Sequence, residues 1–230
     1  MNQQTPPGPL QYSTNQIVFS LPQPLAEKYR PKRISDFIGL TKAKRIVSKL
    51  ATNPFPSAWL FCGPSGTGKT TLALALAAEM PAELHHIPAR ECTLEAVQAV
   101  CRRCHYSPRQ PDNWKPVGFH LVVVDEADQM SHPAQLAFLS KLDATAFPPN
   151  TIFVFTCNAT DNLEKRFLSR CRIIEFSSYG IAGEIAALLG HIWDKETESA
   201  DRPNFARIVK ESCNNVRDAL MSLEVELMAG

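Results

Sequence analysis

The nine residues "GPSGTGKTT", 63 to 71, set glycines at 63, 66 and 68 ahead of a lysine and two threonines. This is the G-x-x-x-x-G-K-[ST] spacing, and it lies between an apolar run, "AWLFC" (58–62), and the helix-forming "KTTLALALAAEM", as a strand–loop–helix phosphate site requires. Glycines let the backbone curl until its N–H groups face one point, and the helix that follows adds its positive N-terminal end. A triphosphate suits that concavity. The backbone of Gly63, Pro64, Ser65, Gly66, Thr67 and Gly68 would cradle it, Lys69 would reach its β- and γ-phosphates, and Thr70, followed by Thr71 in the same helical turn, would ligate Mg²⁺. As a loop residue, Lys69 is expected to be exposed.

A second half of the site ends the run "LVVVDEAD". Four apolar residues carry Asp125 to the carboxyl edge of a parallel sheet, where open α/β sheets bind ligands. There Asp125 can hold the Mg²⁺ shell, and Glu126, pointing elsewhere, can polarise a water. The next apolar run ends in "FTCNAT", so Asn158 reaches the same edge with an amide able to bond both a water and a phosphate oxygen.

The elements that position these residues follow from the apolar runs: "AWLFC", "LHHI" (84–87), "HLVVVD" (120–125), "TIFVFT" (151–156) and "RIIEF" (172–176). They are unbroken rather than alternating, the pattern of strands covered on both faces, and helical stretches separate them, so the fold class is α/β with a five-stranded parallel sheet flanked by helices. After Tyr179 come "IAGEIAALLGHIW", "FARIVKESC" and "NVRDALMSLEVEL", apolar at spacings of three and four. The organisation expected is therefore a flexible arm over 1–24, a nucleotide-binding α/β domain over 25–178 and a small helical lid over 179–230.

Composition narrows the function classes. A formal net charge of +1 gives no global field toward nucleic acid or membrane. The N-terminal stretch lacks a signal-peptide pattern and no run is long enough to span a bilayer, which argues against a membrane role. The seven cysteines are an odd number, three of them (62, 157, 171) beside apolar runs, which reads as reduced core thiols of a cytoplasmic or nuclear protein.

Taken together these motifs resemble AAA+ ATPases of the clamp-loader clade, the replication factor C small subunits and their bacterial and phage equivalents. "LAEKYRPKRISDFIG" is similar to the clade's N-terminal box, "GPSGTGKTT" and "VVVDEAD" to Walker A and B, "FTCNAT" to sensor 1, "LSRCR" to the serine-arginine-cysteine signature, and "NNVRDAL" to the sensor 2 helix, with Asn214 and Asn215 where glycine and aspartate are common. The resemblance implies ATP and Mg²⁺ as cofactors, with Tyr29, Arg30 and Pro31 at the adenine. It implies Arg170 as an arginine finger directed at a neighbouring subunit's γ-phosphate, and Arg217 as a lid residue reaching the γ-phosphate of its own subunit. A finger of this kind is worth about 10³–10⁵ in rate. The implied function is Mg-dependent ATP hydrolysis that loads a sliding clamp at primer-template DNA in replication, with other clamp-loader subunits as partners. The alternative is a regulatory or scaffold subunit that does not load clamps. The chain ends with the lid, so the family's third helical domain, the oligomeric collar, is expected to be absent from it.

Two further features bear on partners and metals. The helix ending "CRRC" makes Arg102 and Arg103 candidate DNA-phosphate contacts, and eight basic residues between Glu27 and Lys49 face two acidic ones. In "CTLEAVQAVCRRCH", Cys92, Cys101, Cys104 and His105 read as parts of one amphipathic helix, with Cys101 and Cys104 a turn apart and Cys92 too far along to join them on a metal.

Overall fold

The protein is described by a computed structural model covering residues 23–110, 115–198 and 201–229; the arm expected over 1–24 lies outside the described residues except for Gln23 and Pro24. The apolar runs form β1 (Ser57–Cys62), β2 (Ala82–Pro88), β3 (Phe119–Asp125), β4 (Thr151–Cys157) and β5 (Arg172–Glu175), parallel throughout and ordered β2-β3-β4-β1-β5. The interior strands β1, β3 and β4 are buried almost from end to end. The expectation of two covered faces fails for β2 and β5, which lie at the edges and expose alternate or most positions. Their location explains the difference, because an edge strand has a neighbour on one side only. It also explains why β2 tolerates Pro88, which has no N–H to donate to a ladder.

The four-residue α1 (Leu25–Lys28) precedes the sheet. Two helices, α2 (Thr41–Thr52) and α3 (Lys69–Glu79), cover one face of the sheet, where Val47, Leu50, Leu72 and Leu76 pack on Phe61, Val123 and Val154. On the other face α4 (Leu94–Arg103) and α5 (His132–Lys141) set Val97 and Phe138 against Val122, Phe153 and Phe155. The Thr93 and Ser131 side chains accept the N-terminal amides of Ala96 and Ala134 and so start α4 and α5. One further turn, α6 (Lys165–Leu168), drives Phe167 edge-on into Phe155 at 4.9 Å, and Arg170 follows it.

The helices α7 (Ala182–Glu196), α8 (Phe205–Glu211) and α9 (Val216–Ala229) bury Ile185, Leu189, Ile192, Ile208 and Leu223 in a separate cluster. Leu25 of α1 is buried in this cluster, the Tyr29 hydroxyl donates to Glu196, and Lys28 Nζ lies 2.8 Å from Glu196 Oε2. So α1, which precedes the sheet in sequence, is fastened to the helical lid. Among the described residues, no helix is long and apolar enough to cross a membrane.

Candidate nucleotide-binding site

The turn between β1 and α3 holds Gly66 at φ 75° and Gly68 at φ 88°, in the left-handed region that glycine enters without a Cβ penalty. Gly66 has a second constraint, since a Cβ there would stand 2.1 Å from Asn215 Oδ1 of the lid. Lys69, expected to be exposed, is instead buried at 8% exposure. Its ammonium folds back along the loop and donates to Gly63 O at 2.7 Å, Pro64 O at 2.8 Å and Asn158 Oδ1 at 3.0 Å. These partners are uncharged, and burial pushes the Lys69 pKa down. A partly desolvated cation among neutral acceptors is suited to an incoming anion, so the residues fit a phosphate group.

Asp125 is tied in from both sides. Its Oδ1 accepts from Thr70 Oγ1 at 2.8 Å and from Thr156 Oγ1 at 3.1 Å, and its Oδ2 lies 2.5 Å from His86 Nε2. A hydroxyl and a carboxylate held together beside the loop lysine form an all-oxygen donor pair of the kind Mg²⁺ takes alongside phosphates. Glu126 adopts φ 51°, and its N–H donates to Thr156 Oγ1 at 3.1 Å. Glu126 is exposed, whereas Asp125 is half-buried and tied in by its neighbours. Glu126, Asn158, Lys69, Thr70 and Arg217 all line the polar end of one cleft. Thr156 and His86 were missed from sequence. A lone hydroxyl ending the apolar "TIFVFT", and a histidine near the end of the strand that pairs with β3, were the available signals.

The other end of the cleft is apolar, a cavity of about 130 Å³ lined by Tyr29, Arg30, Pro31, Phe37, Ile181 and Leu188 with Thr67 and Thr71 of the loop. It lies between the sheet domain and the lid, and Arg217 reaches both ends. The two asparagines of "NNVRDAL" account for themselves here. Asn214 sits at φ 59°, which asparagine tolerates better than other residues with a Cβ. Asn215 Oδ1 accepts from the N–H groups of Arg217 at 3.0 Å and Asp218 at 3.4 Å, an N-cap an aspartate would otherwise provide, and its Nδ2 donates to Ser65 O at 3.2 Å. The lid therefore rests on the phosphate loop.

Comparison with known families agrees with this geometry. The model of the ATPase family associated with various cellular activities (AAA) matches residues 59–179, more than half of the chain. The chain belongs to the AAA family of ATPases. That membership carries nucleotide binding. Within the family, the AAA chain is similar to replication factor C small subunits. It is 30% identical to that of Methanothermobacter thermautotrophicus over 210 residues, covering 87% of this chain and 62% of the relative. It is also 30% identical to that of Picrophilus torridus over 156 residues, covering 65% and 47%. The chain thus spans about half to three fifths of these relatives' length. Among solved structures, the Thermotoga maritima RuvB Holliday junction branch migration motor superposes with a TM-score of 0.68 at 20% identity, over 85% of this chain and 64% of that one, which shows the same fold.

The remaining residues expected to act lie elsewhere in the AAA chain. Arg170 does not line the cleft; its guanidinium donates to Asp143 Oδ2 at 3.1 Å and to Arg166 O at 3.2 Å. Hydrogen bonding from Arg170 holds the Asp143 carboxyl below the usual range. Arg103 donates to Glu83 Oε2 at 2.5 Å and contacts Ser107 O, whereas Arg102 is exposed. Cys92, Cys101 and Cys104 are all buried in the core beneath α4, and His105 is exposed.

Proposed function

We propose that the AAA chain binds ATP with Mg²⁺ and hydrolyses it as a subunit of a sliding-clamp loader acting at primer-template DNA during replication. The observation that carries the reading is the bond from Lys69 to Asn158, beside the Thr70–Asp125 pair. It joins the loop lysine to the amide at the end of β4, so that one contact senses whether phosphate has drawn Lys69 away. Lys69 and the loop amides hold the phosphates, and Thr70 and Asp125 hold Mg²⁺. The metal would neutralise the charge that develops on the phosphate oxygens. Glu126 accepts a proton from the attacking water, Asn158 orients that water, and Arg217 steadies the terminal phosphate from the lid. Tyr29, Arg30 and Pro31 meet the adenine at the apolar end.

Arg170 serves a neighbouring subunit's site in this reading, since it lies outside its own cleft. The partners are other clamp-loader subunits, the clamp and primed DNA, with Arg102 and Arg103 as phosphate contacts. Support for the clamp-loader assignment comes from relatives named replication factor C small subunit. The test is the ATPase rate of the chain, alone and in its assembled complex, with and without primed DNA and the clamp of the same source. Stimulation by both together is expected. A rate indifferent to both overturns clamp loading and leaves a regulatory or scaffold ATPase.

A further inference from the structure

On the far side of the sheet edge, we propose that His85, Cys104 and His120, with Glu83 as fourth ligand, form a structural zinc site. Glu83 and His85 occupy alternate positions of β2, Glu83 pairs in register with His120 of β3, and Cys104 terminates α4 directly over them. The ligand atoms of His85, Cys104 and His120 lie within 4.8 Å of one another. Glu83 Oε1 is 3.7 Å from His85 Nε2, and Glu83 Oε2 is 3.7 Å from His120 Nδ1. Tetrahedral zinc, with bonds of about 2.0–2.3 Å, separates its ligand atoms by about 3.3–3.8 Å, so the gaps among His85, Cys104 and His120 close by at most about 1 Å and the two imidazoles, 3.1 Å apart, move slightly apart.

The outer groups are already those a metal site needs. His120 is fully buried, and its Nε2 lies 2.8 Å from Tyr106 O, which can only accept. Nε2 therefore carries the proton and Nδ1 presents a lone pair to the cluster, the orientation that a carbonyl imposes on metal-binding histidines. Without metal, that lone pair is met by His85 Nε2–H at 3.1 Å. Burial lowers the His85 pKa to about 4, so its imidazole is neutral, and it coordinates through Nε2 once the ring proton has shifted to Nδ1. Glu83 is braced by Arg103 at 2.5 Å and by the Arg109 N–H at 2.7 Å, both on Oε2. Cys104 is a buried thiol whose pKa is pushed up to about 12, chiefly by burial, so metal entry must release its proton to solvent, one per zinc bound. Two imidazoles, a thiolate and a carboxylate match the borderline-soft preference of zinc, and the two anionic ligands offset its charge in a buried place.

The experiment uses the full chain, prepared under reducing conditions. Elemental analysis is expected to give about one zinc per chain. Cobalt(II) added after chelation should give the visible bands of tetrahedral cobalt and a near-ultraviolet thiolate-to-cobalt transition. Cys104→Ala should lose the thiolate transition, His85→Gln should weaken zinc binding at least tenfold, and Cys213→Ala, at an exposed thiol, should change neither. Zinc should raise the Tm of the chelated wild-type protein. Chelated wild-type protein that takes up no zinc and shows no rise in Tm overturns the site. Cobalt bound without a thiolate transition does so too, because it places the metal at His86 and Asp125 or on surface groups. If Cys104→Ala does not fold, the wild-type cobalt spectrum and His85→Gln decide between the same two results.

Discussion

The phosphate loop and the segment carrying Arg170 are built on opposite principles. At the loop, polar groups from the loop itself, α3, β3 and the end of β4 bond one another, with Lys69 on Asn158 and Thr70 on Asp125. After α6, Arg170 is held by a carboxylate outside the cleft, and the pair is largely open, at 31% and 46% side-chain exposure. The contacts of the first region are all made within one chain. The second can act only by exchanging Asp143 for another anion, and an exposed, salt-screened pair gives way readily. A preassembled site and a releasable arginine would serve the sharing of sites between subunits proposed above.

The largest effect should come from breaking the first region. Lys69→Ala should abolish ATP binding and turnover while the far-ultraviolet circular dichroism stays native, because the ammonium lies among loop acceptors rather than in the apolar cluster; retained wild-type ATP affinity would return Lys69 to a purely structural role. Glu126→Gln should bind ATP normally and lose about 10²–10⁴ in kcat, the range for removing a general base. Turnover equal to that of the wild type would take Glu126 out of the chemistry. Arg170→Ala should cut kcat of the assembled complex by at least about a hundredfold with ATP affinity nearly unchanged, since a finger acts on charge present only in the transition state. Asp143→Asn, which frees the same arginine, should leave that rate standing. If copies of this chain adjoin, mixing Lys69→Ala with Arg170→Ala should restore part of the activity that each lacks alone. In a heteromeric complex the arginine is assayed with its partner subunits, and normal turnover there ends the comparison.

The smallest effect separates the lid from both regions. Asn215→Ala removes the cap of α9 and the bond to Ser65, and should cost about 1 kcal/mol of stability by denaturant unfolding. A loss of ATP affinity greater than that of stability would show that the lid contact serves binding.

The parts legible in the sequence were those that rest on short-range rules. Apolar runs announced all five strands, and the spacing of glycines, lysine and threonine announced the loop between β1 and α3. Edge and centre could not be told apart from "LHHI" or "RIIEF", because strand order is set by packing of distant segments. The burial of Lys69 was misread for a related reason: its acceptors include Asn158, 89 residues away. Likewise Asp143 lies 27 residues before Arg170 and meets it where the end of α5 lies beside α6. The partners of Cys104 are invisible in "CTLEAVQAVCRRCH", because the groups that face it, His85 and His120, come from two strands.

The fastening of α1 to the lid has a mechanical consequence. Leu25 and Tyr29 are held by α7 and α9, and Arg30 and Pro31, the next residues, line the cleft. The segment is anchored to the lid at Glu196, and its next residues touch the proposed nucleotide pocket. Any swing of the lid would therefore carry Leu25 and Tyr29 with it rather than leave them with the sheet. A fluorophore at residue 23 paired with one on the exposed face of α2 would report whether nucleotide turns the lid, as a change in distance, without any probe in the pocket itself.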